Sequence, residues 1–274
     1  MEKASRADIK DYDLRAISLG AGVQSSCVYI MSCVGELAPT DVAIFCDTQA
    51  EPPWVYDHLD WLEKNFSHIV PIKRCTGGNI EKDLYWQQGK GKGFVQIPAH
   101  LARDDGSRGI GRRQCTRVFK IDPIKKEIRS LLGLSKGQHA AGRFKVQQWI
   151  GISLDEIQRA KPSQDSWIDR HYPLIHDRPT DRAECLHWMR KNSYKIPKKS
   201  SCYFCPYHDD HLWRDLRETQ PDLFARAVKI DNELREQGEQ QFLHRGCKPL
   251  GETKFKDEDQ LDLWTNECEG VCGV

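Results

Sequence analysis

Apolar residues in the first third of the chain fall in short blocks that alternate between two spacings. Leu14 to Leu19 is a compact run of strand length, and Asp41 to Cys46 (D-V-A-I-F-C) and His68 to Ile72 repeat it. Between these runs, Gln24 to Val34 and Pro52 to Asn65 have helical intervals, the second through Trp54, Leu59, Trp61 and Leu62. The prolines of the second helix fall at its start, where they are tolerated. Strand, helix, strand, helix, strand in so short a stretch predicts an α/β fold, a parallel sheet with right-handed crossovers.

Farther along, the pattern predicts a helix over Asp122–Leu132, a strand over Val146–Ile152, and a helix over Thr180–Lys191 with Thr180 as N-cap. Two more helices are expected over Asp209–Arg217 and Pro221–Glu236. The glycine-rich stretch Gln87–Arg113 fits neither period and reads as a mobile basic loop. An α/β domain over residues 13–175 is therefore expected, followed by a small helical, cysteine-containing C-terminal part over residues 176–274.

Composition narrows the classes. A chain of 274 residues can bury a full α/β core. Its 41 basic and 40 acidic residues nearly cancel, so the global field selects no partner. No run of 18 apolar residues occurs, and the charged N-terminus lacks a signal-peptide core. The expectation is a soluble cytoplasmic protein with no membrane partner, monomeric or a homodimer. Eleven cysteines in such a protein read as thiols or metal ligands rather than disulfides. Cys27, Cys33 and Cys46 lie in apolar segments and are expected to act as small hydrophobes.

Two stretches carry chemistry. Ser18-Leu19-Gly20-Ala21-Gly22-Val23-Gln24-Ser25-Ser26 runs from a strand through small residues into a helix. Backbone N–H groups and the helix dipole at such a turn suit a phosphate. Gly20 and Gly22 are expected to permit the positive φ and close approach that a bound phosphate demands, and Ser18, Ser25 and Ser26 to add hydroxyl donors. No Lys follows the glycines and Ser25 stands where a third glycine would, so neither common nucleotide fingerprint fits. Asp47 and Thr48 end the second strand and would face the same crevice, where the carboxylate suits a ribose, Mg²⁺ or a turn cap.

The second stretch, Cys202-Tyr203-Phe204-Cys205-Pro206, sets two thiols in one turn. Candidate partners are Cys115, Cys185, Cys247, Cys268 and Cys272, with His171, His187, His208 and His211 in reserve. The residues alone leave open an iron–sulfur cluster, a zinc site, a redox dithiol or inert thiols. Lys90, Lys92, Arg103, Arg108, Arg112 and Arg113, and later Lys191, Lys195, Lys198 and Lys199, adjoin the proposed ligands. They form either a solvated face or an electropositive entrance for a polyphosphate, a sulfonucleotide or a nucleic-acid backbone. Trp149, Trp167, Tyr203 and Tyr207 either stack a base or fill the core.

Four segments in order, S-L-G-A-G-V-Q-S-S, D-T-Q-A-E-P-P-W-V-Y, C-T-R-V-F-K-I-D-P-I and G-I-S-L-D-E-I-Q-R, resemble the motifs of the adenine-nucleotide α-hydrolase (PP-loop ATP pyrophosphatase) superfamily. The nearest branch is the phosphoadenosine-phosphosulfate (PAPS) reductase-like one, and the likeness spans residues 14–236. It implies an open parallel five-stranded sheet with helices on both faces, binding ATP or an adenylyl sulfonucleotide with Mg²⁺. By position, Ser18, Gly20, Gly22, Gln24, Ser25 and Ser26 would hold phosphate, with Thr48 and a catalytic Asp47 beside them. Gly151, Asp155, Glu156 and Arg159 would flank the nucleotide or its sulfur-bearing partner. The chain departs from the pattern at Gln49, where the family often has Gly, and at Ser153, where the reductases carry Arg. Without that cation, ATP becomes the easier ligand.

The interval between Cys115 and Cys202 resembles the cluster-bearing members, implying a [4Fe-4S] cluster on Cys115, Cys202, Cys205 and Cys272, with Cys268 as the catalytic thiol. Those reductases have a Cys-Cys pair where this chain has Gln114-Cys115, so an open iron is the alternative. The implied activity is adenylylation with pyrophosphate release for sulfur transfer, with tRNA or DNA among the acceptors and a sulfur donor or thiol reductant as partner. A sulfonucleotide reductase releasing sulfite, or a nucleotide-binding assembly protein, are the alternatives. All of them require the glycine-bearing turn and the late thiols to open onto one pocket.

Overall fold

Short strands that are apolar on both faces can only be buried between two layers of helices, and the computed structural model has that architecture. It describes residues 11–86, 94–95, 97–236 and 240–255. In chain order the first elements are β1 (Leu14–Leu19), α1 (Val23–Val34), β2 (Val42–Asp47), α2 (Pro53–Phe66) and β3 (Ile72–Thr76). An excursion of short strands follows: β4 (Tyr85–Trp86), β5 (Phe94–Val95), β6 (His100–Ala102) and β7 (Arg108–Ile110). A π-helical turn (Arg117–Ile121) leads into α3 (Asp122–Leu131), β8 (Val146–Ile150), a 3₁₀ turn (Leu154–Arg159), β9 (Ile168–His171) and α4 (Pro173–His176). The last described elements include α5 (Arg182–Lys191), α6 (Asp210–Thr219), α7 (Pro221–Glu236) and β10 (Gln241–Phe242).

The main sheet has five strands in the order β3-β2-β1-β8-β9, all parallel. Residues alternate between its faces. Ile17, Leu19, Ala43, Phe45 and Trp149 pack with α1, α2 and α5, and Ala16, Val42, Ile44, Cys46 and Val146 pack with α3. A third cluster joins Tyr203, Phe204, Trp213 and Leu216 to Ala50, Ile80, Ile97 and Phe119 from the first half of the chain. Strands are laid outward from β1 to β3, and the chain then returns to place β8 on the other side of β1. The loops after β1 and β8 therefore part, opening a crevice at the carboxyl ends where ligands bind in such sheets.

Several expected boundaries move. The third strand is Ile72–Thr76 rather than His68–Ile72, because Ile69 and Val70 donate back to the Phe66 carbonyl and close α2. Pro71 has no N–H for the ladder, so pairing starts after it. Asp181, not Thr180, caps α5: its carboxylate accepts from Glu184 N at 2.7 Å, and Glu184 accepts from Asp181 N at 2.8 Å. Thr180 instead donates to the Arg178 carbonyl. The described part of Gln87–Arg113 is not simply a loop, since β6 pairs with β7 and with the distant β10. Strand β9 was too short to read from the sequence. Among the described residues, no helix is long and apolar enough to cross a membrane.

Candidate functional site

The turn after β1 is held by its own side chains. Ser25 Oγ accepts from Gly20 N at 3.2 Å and donates to the Gly22 carbonyl. Gly22 sits at the N-cap of α1 with extended backbone, no side chain caps the helix, and its first turn carries no acidic residue. An uncapped, small-residue helix start presents N–H groups with no intrahelical acceptor, a seat for an anion. The left-handed residue is Ala21, at φ 57°, rather than Gly20 or Gly22, so the expected use of positive φ at the glycines is corrected. The positive φ serves to turn the strand into the helix within three residues.

The other predicted side chains surround this turn but mostly point into structure. Ser18 Oγ accepts from Gln148 Nε2 at 2.8 Å, and Ser26 Oγ lies 2.9 Å from His58 Nε2. Burial holds the His58 pKa down at about 4, so the ring is neutral. Gln24 is fully buried, donating to Ser153 and Glu156 and accepting from Arg182. Arg159 pairs with Glu156, and Asp155 accepts from Ser153 Oγ and Arg182 N. Ser153, which replaces an expected cation, is thus the hub of a buried polar network. Gly151 is required sterically: a Cβ there would come within 2.6 Å of Ser25 N. Glycine at the end of β8 lets that strand approach the phosphate turn.

At the end of β2, Asp47 accepts from Gln49 N at 2.7 Å and from Tyr56 OH at 2.8 Å. Gln49 has φ 59°, a left-handed conformation that a glycine would adopt more freely. Thr48 is buried and donates to Glu51 while its hydroxyl lies 3.3 Å from Cys202 Sγ. Ser200 Oγ donates to the Gly20 carbonyl. Through these two contacts the cysteine turn lies against both the phosphate turn and the end of β2, on the carboxyl side of the sheet.

Cys115, Cys202 and Cys205 line one small cavity with Thr48, Thr116 and Lys120. The turn is fixed by Cys205 N donating to the Cys202 carbonyl at 2.9 Å. Lys120 is buried and pairs with buried Glu51 at 3.4 Å, while Thr116 Oγ1 and Glu51 Oε2 have no hydrogen-bond partner. Burial pushes the Cys202 thiol pKa well up, and Glu51 adds to this. Three thiols with an orphaned hydroxyl on one cavity are a donor set of the soft-metal type. As placed, no group of three or more Cys, His, Asp or Glu among the described residues is arranged to hold a metal ion. The donors fit by kind, and the thiols would have to converge on binding.

Other candidates fall elsewhere. Cys185 is buried in α5, where its carbonyl accepts from Cys27 Sγ, and Cys247 lies away from the cavity. His171 pairs with Asp177, buried His208 bonds Ser201, and His187 and His211 are exposed. Cys268, Cys272, Lys90 and Lys92 lie outside the described residues. Lys195, Lys198 and Lys199 bond to the Asp57 carbonyl, Asp215 and the Tyr207 carbonyl, so that run is anchored within the fold. Trp149, Trp167 and Tyr203 are core, whereas Tyr207 lines the thiol cavity beneath Arg113.

Sequence reasoning missed a second cavity, of about 340 Å³, bounded by the π-turn, α3 and residues 161–170. Its wall includes Gln148, the partner of Ser18, together with Arg117, Lys125, Arg159 and Arg170. The cations come from three separate segments, so no local run announces them.

No family model matches the chain, and no curated protein does. Among solved structures it is similar to phosphoadenylyl-sulfate (PAPS) reductase from Candida auris, phosphate complex, at 13% identity and a TM-score of 0.40, over 72% of this chain and 84% of that chain. So distant a likeness carries no argument about reaction or ligand. The arrangement above is what speaks.

Proposed function

We propose that the chain is a PAPS reductase-like, ATP-binding enzyme that adenylylates a substrate, releases pyrophosphate and takes part in sulfur transfer. The observation that carries this reading is the joining of two chemistries at the carboxyl ends of β1 and β2. The phosphate turn and the cysteine turn touch through Ser200 and Gly20, and through Thr48 and Cys202. An acceptor oxygen attacks the α-phosphorus, the α–β phosphate bond breaks, and pyrophosphate leaves. The N–H groups of the turn neutralise charge that grows on the phosphates in that step. ATP would arrive as its Mg²⁺ complex, and Asp47, oriented by Tyr56 and Gln49, is the predicted carboxylate at the end of β2. Gln148 and the basic cavity beside it offer room for the rest of the nucleotide.

Cys115, Cys202 and Cys205 would hold an iron–sulfur cluster, which supplies a soft centre for sulfur when bound. Their own contribution is a dry cavity within reach of the activated group, next to the Lys120 ammonium. A sulfur donor or thiol reductant and an acceptor such as nucleic acid complete the reaction.

Protein prepared without oxygen should contain iron and labile sulfide and should convert ATP to AMP and pyrophosphate. Ser25→Phe should abolish nucleotide binding while leaving the iron content intact. Sulfite release from a sulfonucleotide, without pyrophosphate release from ATP, would replace this reading with the reductase.

A further inference from the structure

Outside the site, β2 and β3 carry a pair of cysteines that neither the phosphate turn nor the thiol cavity uses. Cys46 and Cys75 are direct register partners on these parallel strands. Both pack in the cluster formed with α3, Cys46 buried and Cys75 partly so. Neighbouring strands run about 4.8 Å apart, within the roughly 4.4–6.8 Å that a disulfide spans between Cα atoms. No disulfide joins Cys46 and Cys75, and both are free thiols.

The same pair is tied to the π-turn that follows Cys115. Cys46 Sγ donates to the Phe119 carbonyl at 2.8 Å. Two residues after Cys75, Gly77 packs so closely on this turn that a Cβ would meet Val118 O at 2.8 Å. Lys120, on the wall of the thiol cavity, belongs to the turn, and Cys115 and Thr116 immediately precede it. A π-turn is a wide, seldom-used helical geometry that depends on its surroundings.

We infer that Cys46 and Cys75 are a reversible redox pair, oxidised by a small-molecule disulfide, whose closure loosens the turn behind the thiol cavity. The Cys75 thiolate attacks one sulfur of the small disulfide and expels one thiolate, leaving a mixed disulfide. Cys46, as thiolate, then attacks Cys75 Sγ, forms the Cys46–Cys75 bond and expels the second thiolate. The oxidant gains two electrons, and the protons of Cys46 and Cys75 pass to the two released thiolates. Cys46 then has no proton to donate, and the Phe119 carbonyl loses the bond from Cys46. The neighbouring Cys46 side chain also lowers the Cys75 pKa, and Cys75 is the more exposed of the two, which favours it as the attacking sulfur. None of this depends on the nucleotide reaction proposed above.

The full-length protein, treated with glutathione disulfide, alkylated and digested, should yield a peptide pair linked through Cys46 and Cys75, and dithiothreitol should reverse it. Hydrogen exchange across residues 115–122 should rise about fivefold on oxidation, as expected for one lost buried hydrogen bond. Cys75→Ser should match the untreated protein in exchange and should not respond to the oxidant. A disulfide among Cys115, Cys202 and Cys205, with Cys46 and Cys75 still alkylated, would overturn the assignment. A Cys46–Cys75 bond with unchanged exchange, or the same rise in Cys75→Ser, would overturn the coupling to the turn.

Discussion

The phosphate turn and the thiol cavity share one end of the sheet but are built in opposite ways. Gly20, Gly22 and Ser25 bond to one another within six residues, so the turn makes its own shape. The cavity draws Thr48 from the end of β2, Cys115 and Lys120 from the π-turn region, and Cys202 and Cys205 from beyond β9. A locally bonded turn survives loss of a distant partner, whereas a cavity built from far-apart segments depends on each pair that joins them. Binding of an anion and binding of a soft metal should therefore fail under different substitutions.

The largest test is the buried ion pair. Lys120→Met leaves Glu51 charged, buried and unpaired, and should lower stability by about 3–5 kcal/mol in urea unfolding. Lys120→Met with Glu51→Leu should recover most of it. Unchanged stability in the single variant would mean that the pair does not tie the π-turn to the segment after β2.

Acid separates the regions next. His58 bonds Ser26 of the phosphate turn, and His208 bonds Ser201 of the cysteine turn. Burial lowers both pKa values, His58 to about 4 and His208 well below its ordinary 6.5. Each ring is neutral in the fold and takes up its proton first in the unfolded chain. The stability each contributes is thus complete above pH 6.5 and is lost as pH falls, for His58 by about 3 kcal/mol down to pH 4. His58→Gln and His208→Gln should each remove part of the slope between these values in a series of unfolding curves.

Gly151→Ala pushes a methyl group into Ser25 backbone and should cost about 1–3 kcal/mol. Nucleotide affinity should fall by calorimetry while the cysteines keep their alkylation rates. The smallest effect is expected for Ser200→Ala, about 1 kcal/mol for one lost hydrogen bond. Its value lies in where the loss appears, since it removes a direct link between the two turns.

What could be read in the sequence follows the same division. Strands β1 and β2 and helices α1, α2 and α7 were legible because each carries its own apolar period. The phosphate turn was legible because its small residues are consecutive. β3 was misplaced because it is an edge strand with no fully buried residue, and the apolar Ile69 and Val70 before it belong to the end of α2. Cys115, Cys202 and Cys205 were chosen by spacing and likeness, and they do share a cavity. Gln148, Lys120 and the cations of the second cavity act through partners more than a hundred residues away or on separate segments, which no local window reveals. Gln24 and Ser26 were expected to hold phosphate and Arg159 to flank the nucleotide; the structure shows the internal bonds that engage all three, which depend on distant or buried partners.

The strand order also constrains the timing of assembly. Cys115 is synthesised before β8, and Cys202 and Cys205 only after β9. A nascent chain halted between them can already present the turn after β1, but it exposes a lone sulfur where the finished protein has three. A metal centre on those thiols, as proposed above, would have to be delivered late in translation or after release from the ribosome.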